Sequence, residues 1–280
     1  MSFSSAGKPR QKSAAGSGVH SHVPADGAAL PGIEVHTGPH IGIDEAGRGC
    51  LAGPVVAAAV FFNPEFNFAD LLPGLDDSKK IGERKRKDLA CRVTELALSY
   101  GIGLSWQDEI DKVNILNATF RAMARAALAL AARMQSGTRG KAAMPRLIID
   151  GNKTIPTQQW DVCAQGVPAS AIAWEQHLPL PVSLFPSCVP DLPEQCAVVD
   201  GDALVPSISA ASVLAKTVRD GLMERLDDFY PGYEFSRHKG YGTKIHLAML
   251  ERNGPCRLHR LTFRRVKQER ASTGEQFSLL

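Results

Sequence analysis

The stretch that decides the expected fold is HIGIDEAGRGCLAGPVVAAAVFF, residues His40–Phe62. Its two short apolar runs, HIGID and PVVAAAVFF, are partly β-branched, which is typical of strands. The glycine-rich segment between them predicts a tight connection. Asp44 and Glu45 interrupt the apolar pattern side by side. Because charged groups in an apolar setting are costly unless they are paired or bind a metal, these two acids indicate a functional site.

The composition is that of an ordinary soluble globular protein. Of the 280 residues, 44% are hydrophobic and 22% are charged, and the formal net charge is +3. No uninterrupted apolar stretch reaches the length that a membrane span requires. We therefore expect a cytoplasmic protein without a membrane partner.

The six cysteines are scattered and form no Cys-x-x-Cys pair. This pattern favours free thiols in a reducing compartment over a disulfide framework. Cys163, His177, Cys188 and Cys196 could gather around zinc, but their irregular spacing makes coincidence the favoured interpretation.

The chain is expected to contain a disordered tail and one long irregular segment. Residues 1–38 are rich in Ser, Gly, Ala and Pro without periodicity, which predicts the tail. This tail lacks the apolar centre of a secretory signal, and only its shortage of acids resembles a transit peptide. Residues 152–195 contain many prolines and little periodicity, which predicts an insertion, a binding loop or a disordered segment.

Elsewhere the hydrophobic pattern alternates between strand and helix periods. The predicted elements are a helix from Ser78 to about Leu98, a strand at Tyr100–Trp106, a helix at Asn114–Met134, strands at Arg146–Asp150 and Cys196–Asp200, and helices at Ile208–Phe229 and Lys244–Arg252. Together with the two strands of the opening stretch, this order predicts an α/β fold, with helices packed on a sheet.

Acids stand at or just after the ends of three predicted strands. They are Asp44 with Glu45, Asp150, and Asp202. Because neighbouring strands end at a shared edge of a sheet, these carboxylates can converge there. Two carboxylates about 4 Å apart repel by roughly 4 kcal/mol at an effective dielectric of about 20, so the cluster requires protons, basic partners or metal ions. Oxygen ligands alone favour Mg²⁺ or Mn²⁺.

The expected convergence of these acids depends on local geometry at Glu45 and at Asp150. Successive strand residues point to opposite faces, so Asp44 and Glu45 cannot both face one metal from a regular strand. We therefore expect the chain to twist at Glu45, which Gly47 and Gly49 make easy. Asp150 precedes Gly-Asn, and an ordinary turn or cap residue is the alternative interpretation there.

Two basic runs, Lys79–Lys87 and Arg257–Lys267, concentrate positive charge in a nearly neutral chain. Such runs suit a polyanion such as nucleic acid. Solvated helix faces are the alternative interpretation, and the sequence leaves both open.

Five motifs, in this order, resemble bacterial ribonuclease HII, the type 2 ribonuclease H. They are IGIDEAGRGCLAGPVVAAAV from Ile41, DSKKI from Asp77, IIDGN from Ile148, VVDGD with ISAASVLAKTVRD between Val198 and Asp220, and HKGYGTKIH from His238. The resemblance covers about Ile41 to Phe263. It implies a ribonuclease H-like mixed central sheet flanked by helices over 39–230, with an insertion at about 153–195. A small helical, substrate-contacting C-terminal part over 231–268 and a tail over 269–280 complete the implied organisation.

The resemblance also implies an activity. The family hydrolyses the RNA strand of RNA–DNA hybrids and cuts 5′ of ribonucleotides embedded in duplex DNA, leaving a 3′-hydroxyl and a 5′-phosphate. A nucleic acid is thus the expected partner. No obligate protein partner is evident, which favours a monomer.

The implied site residues divide into two groups. Two Mg²⁺ or Mn²⁺ ions would be held by the catalytic acids Asp44, Glu45, Asp150 and Asp202. The implied substrate contacts are Gly47, Arg48 and Gly49 in the loop that reads the ribonucleotide, Lys79 at a phosphate, and Tyr241 at the RNA–DNA junction.

Two features depart from the family pattern. The segment after Asn152 is roughly 30 residues longer than usual, and Gly242 stands where proline is also common. Without the motif, Tyr241 would be interpreted as a core tyrosine. The alternative functions are a DNA-directed nuclease or recombinase of the same fold, and a non-catalytic nucleic-acid-binding module.

Overall fold

The computed structural model describes residues 38–75, 81–135, 143–164 and 192–267. Its centre is a five-stranded sheet in the order β3-β2-β1-β4-β5. The strands are β1 at His40–Ala46, β2 at Val55–Phe61, β3 at Ser99–Ser105, β4 at Arg146–Asp150 and β5 at Gln195–Val198. β1, β2 and β3 pair antiparallel, whereas β4 and β5 continue the sheet from β1 in parallel. The predicted α/β class and mixed sheet are confirmed.

Helices cover both faces of this sheet. They are α1 at Phe68–Leu71, α2 at Glu83–Leu96, α3 at Gln107–Val113, α4 at Ile115–Gln135, α5 at Thr157–Ala164, α6 at Gly201–Leu204, α7 at Pro206–Asp227, α8 at Phe235–His238 and α9 at Lys244–Asn253. The three helices with the clearest apolar repeat, α4, α7 and α9, lie where the sequence predicted them to within a few residues.

Two predicted boundaries were wrong. α2 begins at Glu83, after Gly82 in an extended conformation, and not at Ser78, which lies outside the described residues. β5 ends at Val198, two residues before the predicted end. Asp200 adopts the left-handed conformation with φ of 54°, which turns the chain into α6.

Five helices were not predicted: the four-residue helices α1, α6 and α8, and the longer helices α3 and α5. α3 has no apolar repeat, and its burial depends on charge pairing. Glu109 accepts hydrogen bonds from Arg125 at 2.6 Å and from Arg121 at 2.9 Å. α5 lies at the start of the segment that was expected to be an insertion, and its fully buried Trp160 packs into the cluster that contains α4. Residues 165–191 of that segment are not among the described residues.

The sheet is buried on both faces, which explains the unbroken apolar sequence of β2. Alternate strand residues point to opposite sides. Val56 and Val60 belong to the apolar cluster shared with α7, whereas Ile41 and Ile43 belong to the cluster shared with α4. β1, which carries Asp44 and Glu45, is therefore held between two packed layers in the middle of the sheet.

α4 is long and apolar enough to cross a membrane by length and composition alone. In the fold, 72% of its apolar window is buried, mainly against β2 and β3. Arg121 and Arg125 interrupt its apolar sequence, so the helix contains no uninterrupted apolar stretch of membrane-spanning length. Its apolar side chains supply the core on one face of the sheet.

The C-terminal part packs on the loop that joins β1 to β2. Leu51 N–H donates to the carbonyl of Gly240 at 2.8 Å, and Ala52 forms an isolated antiparallel bridge with His259. Residues far along the chain thus fix the loop that follows the two adjacent acids.

Two glycines of β3 allow α4 to lie directly on the sheet. A Cβ at Gly101 or Gly103 would come within 3.0 Å of helix backbone atoms, which is closer than real Cβ atoms approach. We expect Gly103→Ala to lower the free energy of unfolding by about 1–3 kcal/mol, because the helix must move away from the strand.

Urea denaturation measures this loss. The control is Gly49→Ala, where a Cβ would meet nothing within 4 Å and stability should stay within about 0.5 kcal/mol of wild type. Wild-type stability in Gly103→Ala would contradict the close contact between α4 and β3.

Candidate active site

Asp44 and Asp150 occupy equivalent positions at the ends of two paired parallel strands, β1 and β4. β4 pairs with β1 up to Ile43 opposite Ile149, so the next residue on each strand is an acid. Asp44 is buried and its carboxylate hydrogen-bonds to Ser212 of α7. The structure thus brings these two predicted acids to the same edge of the sheet.

Glu45 stays in the strand, and the predicted twist at this residue was wrong. It pairs with Ala57 in the regular antiparallel register, so its side chain points away from the face that carries Asp44. On the other side of β1, the pairing with β4 ends at Ile43, so β4 does not pair with Glu45. The negative charge of Asp150 consequently acts on the carboxyls of both Asp44 and Glu45.

Asp202 reaches the site from a helix and not from a strand end. It lies in the first turn of α6 and is buried. Its backbone N–H donates to Oδ1 of Asp150 at 3.3 Å. All four predicted acids therefore lie near one edge of the sheet, and the fourth is delivered by the turn at Asp200.

Burial and like charge raise the pKa values of two of these acids. Burial raises the pKa of Asp44 well above its ordinary value, and the charges of Glu45 and Asp150 raise it further. Burial also raises the pKa of Glu45, although Arg48 opposes the rise, with Nη1 at 3.1 Å from Oε1 of Glu45. The site is therefore short of positive charge.

The donor set fits a hard divalent cation by its chemistry. Asp44, Glu45, Asp150 and Asp202 offer oxygen ligands, which Mg²⁺ and Mn²⁺ prefer, and a cation would supply the missing positive charge. Among the described residues, no group of three or more His, Cys, Asp or Glu side chains is placed so that it could hold a metal ion as it stands. In the structure Glu45 is paired with Arg48 instead.

The two predicted loop glycines have different surroundings. Gly47 has φ of 95°, and a Cβ there would come within 3.0 Å of the Arg219 guanidinium. Gly49 lies in open space, where a Cβ would meet nothing within 4 Å. The packing of the protein therefore requires glycine at 47 and does not require it at 49.

Two fully buried arginines hold this loop from below. Arg219 of α7 donates to the carbonyls of Ala52 at 3.1 Å and Pro54 at 3.0 Å. Arg260 donates to the carbonyl of Gly47 at 2.8 Å. The guanidiniums thus replace water as the partners of loop carbonyls that would otherwise be buried without hydrogen bonds.

Sequence reasoning missed both arginines, because an arginine beside other charges suggests a solvated side chain. A signal was present for Arg219. It follows Ala215 by four positions and precedes Leu222 by three, so the helical period places it on the buried face of α7. No comparable signal identifies Arg260, which lies in a basic run.

Tyr241 is 39% exposed, so the alternative interpretation as a core tyrosine was wrong. The ammonium of Lys216 lies 4.9 Å from its ring centroid, and the guanidinium of Arg219 lies 5.8 Å from it. The preceding residue, Gly240, is hydrogen-bonded to the loop through Leu51. The loop that joins β1 to β2, Gly47–Pro54, is called the glycine-arginine loop below. The ring of Tyr241 is thus presented to solvent beside this loop and near cations.

The two basic runs have different environments. Lys79 lies outside the described residues, so its predicted phosphate contact remains a prediction. Arg86 of the same run bonds to Asp220 at 3.3 Å. In the second run, His259 and Arg260 are buried, so the solvated-face interpretation was wrong for both.

The family model described as Ribonuclease HII matches residues 41–139 and 192–266. This chain belongs to the ribonuclease HII family. The matched residues include Asp44, Glu45 and Asp202, and they leave out 140–191. The position of Asp150 consequently rests on the pairing of β4 with β1.

Curated relatives support the same assignment. The Ribonuclease HII of Nitratidesulfovibrio vulgaris is 46% identical over 238 residues, covering 85% of this chain and 91% of that protein. The Ribonuclease HII of Paraburkholderia xenovorans is 38% identical over 275 residues, covering 97% and 88% respectively. The chain is therefore a ribonuclease H, a hydrolase, as the sequence predicted, and the non-catalytic alternative is set aside.

Solved structures share the fold. The ribonuclease H2 of Pyrococcus horikoshii OT3 aligns with a TM-score of 0.56 at 20% identity, covering 84% of this chain and 98% of that one. Bst-RNase HIII, solved in complex with Mn²⁺, aligns with a TM-score of 0.61 at 16% identity, covering 86% and 72%. The predicted ribonuclease H-like fold is confirmed.

The charge imbalance at the acids predicts a stability effect. In EDTA at pH 7, Asp44→Asn should raise the free energy of unfolding by about 1 kcal/mol, because it removes a buried charge that repels Glu45 and Asp150. Since the pKa of Asp44 is raised in the folded state, the wild-type protein carries this penalty at neutral pH. The advantage of the variant should shrink as the pH falls and Asp44 takes up a proton.

Urea denaturation between pH 4 and 7 checks this expectation. Asp200→Asn is the matched control, since it makes the same chemical change at an exposed residue whose left-handed conformation asparagine tolerates. A destabilised Asp44→Asn in EDTA would contradict the account of an undercompensated site.

Proposed function

We propose that this ribonuclease H cuts on the 5′ side of ribonucleotides embedded in duplex DNA, as well as the RNA strand of hybrids. The products would carry a 3′-hydroxyl and a 5′-phosphate. The observation that carries the proposal is the grouping of Asp44, Glu45, Asp150 and Asp202 at one sheet edge, beside an exposed loop of glycine and arginine.

In this proposal the four acids are metal ligands and not covalent nucleophiles. Together they would hold two Mg²⁺ or Mn²⁺ ions, which when bound would activate the attacking water and stabilise the leaving oxygen. Because Glu45 stays in the regular strand, it and Asp44 would not bind the same ion. Support comes from the excess negative charge of the site and from its oxygen-only donor set. The rigid placement of β1 between two packed layers keeps Asp44 and Glu45 in position before the metals arrive.

Gly47, Arg48 and Gly49 are proposed to read the ribonucleotide. The 2′-hydroxyl is a donor and an acceptor, and it distinguishes RNA from DNA. Because protein packing does not explain glycine at 49, close approach of a ligand to the backbone gives a reason for it. The side chain of Arg48 is 52% exposed and can add a charge-assisted hydrogen bond to a phosphate.

Tyr241 is proposed to place its ring against the sugar or base at the RNA–DNA junction. Its exposure and the nearby ammonium of Lys216 suit a flat, anionic ligand. We further propose that Lys79 contacts a phosphate. The enzyme is proposed to act as a cytoplasmic monomer without an obligate protein partner.

Replacing one acid should separate chemistry from binding. Asp44→Asn keeps the size of the side chain and removes the charge that would hold a metal, so it should abolish cleavage of a duplex with one ribonucleotide. Binding of that duplex should persist. Gel analysis of the products with Mg²⁺ or Mn²⁺, together with fluorescence anisotropy, measures the two effects.

Mapping the wild-type cut on the same duplex tests the specificity. A cut 5′ of the ribonucleotide is expected, and an all-DNA duplex should remain intact. Full activity of Asp44→Asn contradicts the metal-ligand role. Cleavage of the all-DNA duplex at the same rate favours the alternative of a DNA-directed nuclease.

Gly49→Ala should impair substrate use without harming the fold. A methyl group at 49 meets no protein atom within 4 Å, but it occupies the space that the ribonucleotide would enter. The KM for the single-ribonucleotide duplex should rise about tenfold while urea stability is unchanged. An unchanged KM would remove Gly49 from the proposed substrate contacts.

A further inference from the structure

His259 and Arg260 are adjacent in the chain, and both are buried under the proposed substrate face. Each is bonded to a different part of that face. Arg260 bonds to the glycine-arginine loop, whereas His259 connects through His246 to the backbone of Tyr241.

Four of the five N–H groups of the Arg260 guanidinium donate to loop carbonyls. Nη1 donates to Arg48 at 2.9 Å, and Nη2 donates to Gly47 at 2.8 Å and to Gly53 at 2.9 Å. Nε donates to Gly53 at 3.0 Å. A rigid fork with this many fixed acceptors defines the path of the loop more tightly than a single hydrogen bond would.

The His259 contacts form a directed chain of hydrogen bonds. Nδ1 of His246 lies 2.9 Å from the carbonyl of Tyr241, so this nitrogen donates and Nε2 of His246 accepts. Nδ1 of His259 accepts from the backbone N–H of Cys256 at 3.0 Å. Nε2 of His259 therefore carries the proton and donates to Nε2 of His246 at 3.1 Å.

Neutral imidazoles satisfy this chain completely. Burial lowers the pKa of His246 to about 4 and that of His259 to about 3, so both rings are uncharged at neutral pH. Every ring nitrogen has a partner of the required kind. Nδ1 of His259 also lies 3.3 Å from the carbonyl of Cys256. The hydrogen bond between the two Nε2 atoms nevertheless needs one proton, and because Nδ1 of His246 donates to Tyr241, that proton is on His259.

His238 supports the same backbone from another side. Its ring stacks on that of His246 at 4.3 Å between centroids. Its Nε2 lies 2.7 Å from the carbonyl of Tyr233, and its Nδ1 accepts from Gly240 N–H at 3.2 Å. The residue before Tyr241 is thereby fixed as well.

A single metal ion does not account for this cluster. His246 approaches Nε2 of His259, whereas the thiol of Cys256 lies 3.2 Å from Nδ1 of the same ring. These two neighbours are on opposite sides of the imidazole. The three side chains therefore do not face a common point.

The two sets of contacts, called arms below, are the bonds of Arg260 to the loop and the chain from His259 through His246 to Tyr241. They are also joined through the backbone. Arg260 N–H donates to the carbonyl of Leu51 at 2.9 Å, and Leu51 N–H donates to the carbonyl of Gly240 at 2.8 Å. The loop, the residue before Tyr241 and the His259–Arg260 pair thus form a closed ring of contacts.

We propose that His259 and Arg260 are positioning residues that set the spacing between Tyr241 and the glycine-arginine loop, His259 through His246 and Arg260 directly. This inference rests on the proposed function, in which Tyr241 and the loop contact the same ribonucleotide. Displacing either arm changes how the substrate is held and leaves the four acids in place.

Paired variants of His259 test the first arm. His259→Phe keeps a ring and removes both nitrogens, whereas His259→Gln keeps an amide donor toward His246. For a duplex with one ribonucleotide, His259→Phe should raise KM about tenfold with kcat within about threefold, and His259→Gln should stay within about threefold of the wild-type KM. His40→Phe, at the opposite end of β1 from Asp44, is the matched control and should match wild type.

A wild-type KM in His259→Phe, or an equal rise in both variants, overturns the inference. Imidazole ¹⁵N spectra of the wild-type protein at pH 7 give a test that does not depend on whether a variant folds. The proton is expected on Nδ1 of His246 and on Nε2 of His259. The reverse tautomers, or a charged ring, overturn it too.

Amide exchange at Leu51 separates this inference from the proposed function. Its N–H is bonded to Gly240, and exchange should quicken in His259→Phe but not in His259→Gln. If wild type fails to cut the ribonucleotide duplex, the proposed function fails and the exchange result alone decides the positioning. Unchanged exchange in His259→Phe overturns it.

Discussion

The parallel pairing of β1 with β4 is the constraint on which the site depends. It ends at Ile43 and Ile149, one residue before Asp44 and Asp150. The sheet therefore places two mutually repelling carboxylates side by side, and the energy for doing so comes from the apolar packing on its two faces. The repulsion lowers the stability of the folded protein, and a bound cation would relieve it. Functional sites commonly reduce stability in this way.

Around the acids, the protein uses buried cations as internal ligands for its own backbone. Arg219 and Arg260 bind loop carbonyls, and Arg125 binds the carbonyl of Leu104 on the opposite side of the sheet. Buried guanidiniums are costly unless every donor finds a partner. The hydrogen bonds from Arg219 and Arg260 therefore define the path of the loop.

Much of this arrangement could be predicted from particular residues. The β-branched runs around Asp44 gave two strands, the repeat from Ile208 gave α7, and the motif order gave the family. Two features could not be predicted. Glu45 stays in a regular strand because β1 remains paired with β2 through Ala46, and that depends on which strands pair. The burial of His259 and Arg260 depends on contacts between distant segments, which local charge patterns do not encode.

The glycine-arginine loop is completed from the far end of the chain. Gly47 is bound by Arg260 across a separation of 213 positions, and Ala52 by Arg219 across 167. During synthesis, the segment with the two adjacent acids leaves the ribosome long before its supports exist. If the loop contacts the substrate as proposed, the nascent chain would lack a finished cutting site until nearly the whole protein has been translated.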